Sequence, residues 1–124
     1  MMQGFVNESE EAIIAVVVRN GTKLRSVDAV IDTGFTGFLS LPISMIDALG
    51  LAWSYRDRGT LGDGSETLFD IYEGTVIWDG KIQAIEINAA DTEPLLGMRI
   101  LQGYRLQLDN VPGGLVKIEI LPDR

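Results

Sequence analysis

The chain has 124 residues with 18 Asp and Glu, 10 Lys and Arg, and neither histidine nor cysteine. Those two absences remove Ser-His-Asp and Cys-His catalysis, disulfides, thiolate zinc sites and most transition-metal sites. Hydrolytic chemistry must then run on carboxylates, on lysine, or on a serine without histidine. One carboxylate stands apart from the others. Ala29-Val30-Ile31 runs directly into Asp32-Thr33-Gly34, and Phe35-Thr36-Gly37 follows. An apolar run that stops at a carboxylate reads as a buried strand delivering Asp32 to a tight loop. Gly34 and Gly37 let the backbone turn sharply and leave space before the carboxylate. Taken alone, Asp-Thr-Gly reads first as an ordinary turn acid before glycine, as Asp63-Gly64 and Asp79-Gly80 are read to be.

The elements that must position this loop are mostly strands. Residues 1–11 read as a polar N-terminal segment, and 12–124 as a single domain. Ala12 to Arg19 is rich in β-branched residues and reads as a strand. Asn20-Gly21 is a hairpin signal, and Thr22 to Ile31 returns toward Asp32. Phe38 to Leu41 is a short strand. Pro42 opens a helix at about 42–49, which Gly50 ends. Leu51 to Arg58 and Leu68 to Trp78 form a long hairpin with a glycine-rich tip, and Asp79-Gly80 turns into a strand from Lys81 to Asn88. Leu95-Leu96-Gly97 is a short apolar strand, and Met98 to Gln102 makes one or two helical turns. Tyr104 to Asp109 alternates strictly, and Leu115 to Leu121 is the last strand. The pattern predicts a mostly-β barrel or sandwich with one or two short helices.

Net charge is −8 and the sequence pI about 4.3. Neither a nucleic acid nor an anionic membrane surface is an expected partner, since both select a basic face. No apolar run approaches the roughly 20 residues that span a bilayer. The segment from Met1 to Glu11 lacks the basic start of a secretory signal, so a cytoplasmic location is expected.

Three features occur in a fixed order: Ala29-Val30-Ile31 into Asp32-Thr33-Gly34, a glycine-rich hairpin, and Leu95-Leu96-Gly97 into Met98-Arg99-Ile100-Leu101. Over about residues 12–121 this order resembles the retropepsin-like aspartic proteases, the single-domain group that includes the retroviral enzymes. Leu49-Gly50-Leu51 after the first helix is similar to the cellular and bacterial members. The resemblance implies a closed acid-protease barrel that functions as a C2 homodimer, and an aspartic endopeptidase acting on peptide or protein. It needs no metal and no cofactor. It assigns Asp32 as the catalytic carboxylate and Thr33 as a hydrogen-bonding brace across the axis. Gly34 gives room for water and substrate. Gly59, Thr60, Leu61, Gly62, Asp63, Gly64 and Ser65 are the flap, and Leu95, Leu96 and Gly97 support the Asp loop. Two carboxylates held close share one proton, because both cannot be ionised in a low-dielectric site. The ionised one takes a proton from water, and the protonated one donates to the scissile carbonyl. One chain supplies one such Asp, so two copies must meet.

Phe35 departs from the Ala or Ser common at its position. It cannot donate to a carboxylate as serine does, which implies an optimum at weakly acidic or neutral pH and a narrowed subsite. The dimer is expected to use either the tail Leu115 to Leu121, if it does not simply close its own barrel, or the hairpin of the first two strands. The alternative function is a non-catalytic homodimeric module of the same fold that binds peptide or protein. A glycosidase pairing Asp32 with Glu66, Asp70 or Glu73 is a further rival. A divalent-cation site is another, although no EF-hand-like spacing is present.

Overall fold

The β-branched run after residue 11 and the alternating stretches beyond it form strands, as their patterns require. The computed structural model describes residues 1–60 and 62–122. Within them lie β1 (Met2–Val6), β2 (Ala12–Asn20), β3 (Lys23–Ile31), β4 (Leu39–Leu41), α1 (Ile43–Leu49), β5 (Ala52–Thr60), β6 (Glu66–Trp78), β7 (Lys81–Ala89), β8 (Leu95–Leu96), α2 (Met98–Leu101), β9 (Tyr104–Leu108) and β10 (Leu115–Ile120). The strands pair in the order β5-β6-β7-β4-β8-β3-β2-β1-β10-β9. β2 also pairs with β6, placing Val18 opposite Val76. That contact closes β6, β7, β4, β8, β3 and β2 into a barrel, with β5 extending one side and β1, β10 and β9 the other. The β3–β8 and β4–β7 pairs are parallel.

Alternation decides which side chains fill the barrel. Val16 and Val18, Val27 and Ala29, Leu39 and Leu41, and Ile87 and Leu96 point inward and form one core. Helix α1 closes over it with Ile46 and Leu49, both buried. Pro42 is the N-cap of this helix, and Gly50 ends it in the left-handed region at φ +64°, donating its N–H to Asp47 O at 3.0 Å. Among the described residues no helix is long and apolar enough to cross a membrane.

The structure corrects several expectations. Residues 1–11 contain strand β1, held between β10 and β2. Gly4 makes this possible, because a β-carbon there would lie 1.9 Å from Ile13 O. Val6 is buried, while Gln3 and Phe5 face outward, so the period of two was present but short. The first hairpin turns one residue later than its Asn-Gly signal. Asn20 pairs with Lys23, leaving Gly21-Thr22 as the loop, with Gly21 at φ +61°. Glycine at the first central position matches a type II′ turn. At Asp79-Gly80 both φ values are positive, as a type I′ turn requires. The arms of the glycine-tipped hairpin reach Thr60 and Glu66, so the hairpin is longer-armed than its sequence suggested.

Strand β10 has partners on both edges, β1 and β9, so the tail is built into its own sheet. The first hairpin is likewise paired, β2 with β1 and β6 and β3 with β8. Among the described residues the ends of the sheet are β5 and β9.

Candidate active site

Strand β3 delivers Asp32. Val30 lies opposite Leu95 and Ile31 opposite Leu96 in the parallel pair. The register continues past the strand, since Asp32 N donates to Leu96 O at 2.9 Å. The chain then turns on the Asp side chain: Gly34 N donates to Asp32 Oδ1 at 2.9 Å and Phe35 N to Asp32 O at 3.1 Å. Among the described residues Asp32 Oδ2 accepts no hydrogen bond. Asp32 is half-buried, and Thr33 and Gly34 are exposed, so the crest of the loop is open.

Because β8 sits between β3 and β4, residues 32–38 must bridge over it. The chain leaving β8 is sewn to the underside of that bridge. Gly97 N donates to Phe38 O at 3.0 Å, Met98 N to Phe35 O at 2.8 Å and Arg99 N to Gly37 O at 3.1 Å. The approach excludes any side chain at Gly97, where a β-carbon would lie 2.1 Å from Gly37 O and 2.8 Å from Phe35 O. Phe35 folds back into the same space. Its ring atom Cζ would stand 2.5 Å from a β-carbon on Gly37, and its Cδ2 2.7 Å from one on Gly97. The ring at the unusual position therefore buttresses the loop. The guanidinium of Arg99 stands 5.6 Å from the centre of the Phe38 ring, within cation–π range.

Beside the loop lies a cleft of about 770 Å³, a size that holds a ligand of several residues. One wall is the loop from Gly34 to Phe38, and the other is the paired arms around Asp57–Thr60 and Thr67–Phe69. Its floor is a single cross-strand row, in which Tyr55 opposes Ile71, Ile71 opposes Asn88, Asn88 opposes Ser40 and Ser40 opposes Leu95. All five line the cleft. Tyr55 O–H donates to Glu86 Oε2, and that hydrogen bond to an acid raises the phenol above its ordinary pKa.

The hairpin carries its own polar anchors. Asp70 Oδ1 accepts from Trp53 Nε1 at 3.1 Å and from Arg56 Nε at 3.0 Å, which lowers its pKa, the indole contributing most. At the tip Asp63 accepts from Ser65 Oγ at 2.6 Å and Ser65 N at 2.9 Å, and it too is lowered, chiefly by the hydroxyl. Asp63 is an exposed turn acid.

The structure brings the Asp loop, Leu95-Leu96-Gly97 and the hairpin arms together. Gly34, Phe35, Gly59, Thr60 and Leu95 line the cleft. Asp32 and Thr33 sit on the loop crest beside it, and Leu96 and Gly97 lie beneath the loop. Gly59 and Thr60 belong to β5, whereas Gly62, Asp63, Gly64 and Ser65 form the tip and do not line the cleft. Leu61 lies outside the described residues. Of the acids offered as glycosidase partners, Asp70 is held by Trp53 and Arg56, Glu66 lies 3.6 Å from Arg58, and Glu73 lines a separate cleft. None of the three lines the cleft beside Asp32. Among the described residues no three acids group as a metal site. Sequence reasoning missed Ser40, Tyr55, Glu86 and Asn88. Their only signal was alternation, which reveals a floor once the strand order is known.

No family model matches the chain, and no curated protein matches it.

Proposed function

We propose that this protein is an aspartic endopeptidase that works as a C2 homodimer, each copy contributing Asp32. The observation that carries the reading is the placement of Asp32. It crowns a loop braced from below by Gly97 to Arg99 and stands beside a cleft walled by a long hairpin. The order of motifs resembling the retropepsin-like proteases points the same way.

Two such loops meeting across a two-fold axis would set two carboxylates side by side. Sharing one proton, the pair titrates as a unit. The ionised member activates water, and the protonated member donates to the scissile carbonyl and then helps protonate the leaving amine. The hairpin closes over the peptide and excludes water. Strand β5 ends the sheet, so its outer edge has backbone groups able to pair with an extended chain.

The surface next to the loop suits a second copy. Exposed Met98 follows Gly97, and exposed Phe5 and Leu115 oppose each other across β1 and β10. Phe5 continues through Ile13 to Val30, two residues before Asp32. These apolar groups share one face with the loop, and a partner would remove them from water.

The test is incubation with a peptide library, comparing wild type with Asp32→Asn, with and without a statine-type inhibitor. Cleavage at weakly acidic to neutral pH, lost in the variant and blocked by the inhibitor, is expected. An optimum below about pH 3.5 would contradict the role given to Phe35, which offers the carboxylates no donor. Binding without cleavage at any pH from about 3 to about 8 would replace the enzyme with a peptide-binding module.

A further inference from the structure

We propose that Ser40 and Asn88 form a polar subsite in the cleft floor that selects a neutral amide side chain, glutamine or asparagine, in the bound peptide. This rests on the peptide-binding part of the reading above and adds the class of side chain that the site prefers.

The floor row reads Leu95, Ser40, Asn88, Ile71, Tyr55, so its centre is polar and its flanks are apolar or aromatic. Ser40 is 3% exposed, and among the described residues its hydroxyl has no hydrogen-bond partner. A buried hydroxyl without a partner is costly, and alanine would fill the same place without that cost. Its neighbours on β4, Leu39 and Leu41, are buried apolar residues of the barrel core. Ser40 belongs to the opposite face, the one that lines the cleft.

Asn88 lies directly across the parallel β4–β7 pair from Ser40. Among the described residues its amide makes no side-chain hydrogen bond, whereas nearby Glu86 is occupied by Tyr55. Ser40 and Asn88 therefore offer donors and acceptors in one place with no partner of their own. A primary amide presents one carbonyl acceptor and two N–H donors, which such a pair can match. Ile71 and Leu95 on either side fit the aliphatic stem of the same side chain.

Charge favours a neutral ligand over an ion. Asp57, Glu86 and Asp91 line the cleft against Arg58 and Arg99. The acids oppose a carboxylate, and no acid lies in the central pair to hold a cation.

The experiment uses matched peptides that differ at one position, Gln against Met and Asn against Leu, scanned through the sites flanking the scissile bond. Wild type is expected to prefer the amide at one position by at least about tenfold in kcat/KM, because a site built to hydrogen-bond discriminates against an analogue that cannot. Ser40→Ala should collapse that ratio toward one while still cleaving the Met and Leu peptides. Asn88→Leu, at a half-buried position, should do the same and serves if Ser40→Ala fails to fold. A loss in either variant that is equal for all peptides would mean a structural role and overturn the proposal, as would a wild type without amide preference. The same peptides are also titrated calorimetrically into the Asp32→Asn protein. Amide preference in binding, with no cleavage by wild type, would retain the subsite and discard the peptidase. Absence of preference there, beside active wild type, would discard the subsite alone.

Discussion

A β-carbon on Gly97 would stand 2.1 Å from the carbonyl oxygen of Gly37. The chain leading into α2 thus passes directly beneath the Asp32 loop, joined to it by the three hydrogen bonds from Gly97, Met98 and Arg99. Gly97→Ala must push the two segments apart. Overpacking of this kind costs about 1–3 kcal/mol. Thermal unfolding should fall by several degrees, and the proposed activity should fall further than stability because the displaced segment braces the Asp32 loop. An unchanged melting temperature would show that the loop can move freely.

How much of this could be read from the chain follows from which interactions are local. Asp32-Thr33-Gly34, the Asp79-Gly80 turn and the Gly50 helix end are decided by a few neighbouring residues and were visible, whereas the first turn falls one residue past Asn20-Gly21 and Pro42 caps its helix rather than opening it. The pairing of β8 between β3 and β4 joins residues about sixty apart, so sequence showed the motifs but not that one bridges the other. Strand β1 was hidden because it has five residues and only one fully buried side chain. Its place depends on Gly4 meeting Ile13, a contact no local pattern announces. Ser40 and Asn88 share the cleft floor only through the β4–β7 register.

Phe5 and Leu115 are exposed, directly opposed and on the face proposed to meet a second copy. Phe5→Lys should weaken the dimer at least about tenfold, since a charge replaces apolar surface that association would bury. Sedimentation equilibrium measures the effect, and activity at low protein concentration should fall in parallel. Equal dissociation constants for variant and wild type would place the interface elsewhere.

The hairpin anchor carries a pH dependence. The indole of Trp53 and the guanidinium of Arg56 hold Asp70 below its ordinary value of 3.8. A depressed carboxyl contributes its stabilisation above the unfolded pKa and loses it as pH falls through the folded one. The indole N–H resonance of Trp53 should therefore titrate with a midpoint below 3.8. In Asp70→Asn that titration should vanish. A midpoint at or above the ordinary value would mean the anchor is absent in solution.

Glu93 behaves in the opposite sense. Its hydrogen bond with Glu11 raises its pKa above the ordinary 4.5. A raised carboxyl contributes stability below the unfolded pKa, and the contribution is lost as pH rises through the folded one. Glu93 precedes Pro94, whose carbonyl accepts from Val30 N at 2.9 Å at the base of the Asp32 strand. Melting temperatures of wild type relative to Glu93→Gln should decline as pH rises through that range. A difference that stays flat with pH would show that Glu93 and Glu11 do not pair in solution.

The proposed site needs one Asp32 from each of two copies, a requirement that mixing wild-type and variant subunits exposes. Wild type and Asp32→Asn are combined in varying ratio at constant total concentration, allowed to exchange subunits, and assayed for peptide cleavage. If both carboxylates are required, heterodimers are inactive, and total activity follows the square of the wild-type fraction. Activity linear in that fraction, with subunit exchange confirmed by mass, would show a site complete within one chain and contradict the paired-carboxylate mechanism.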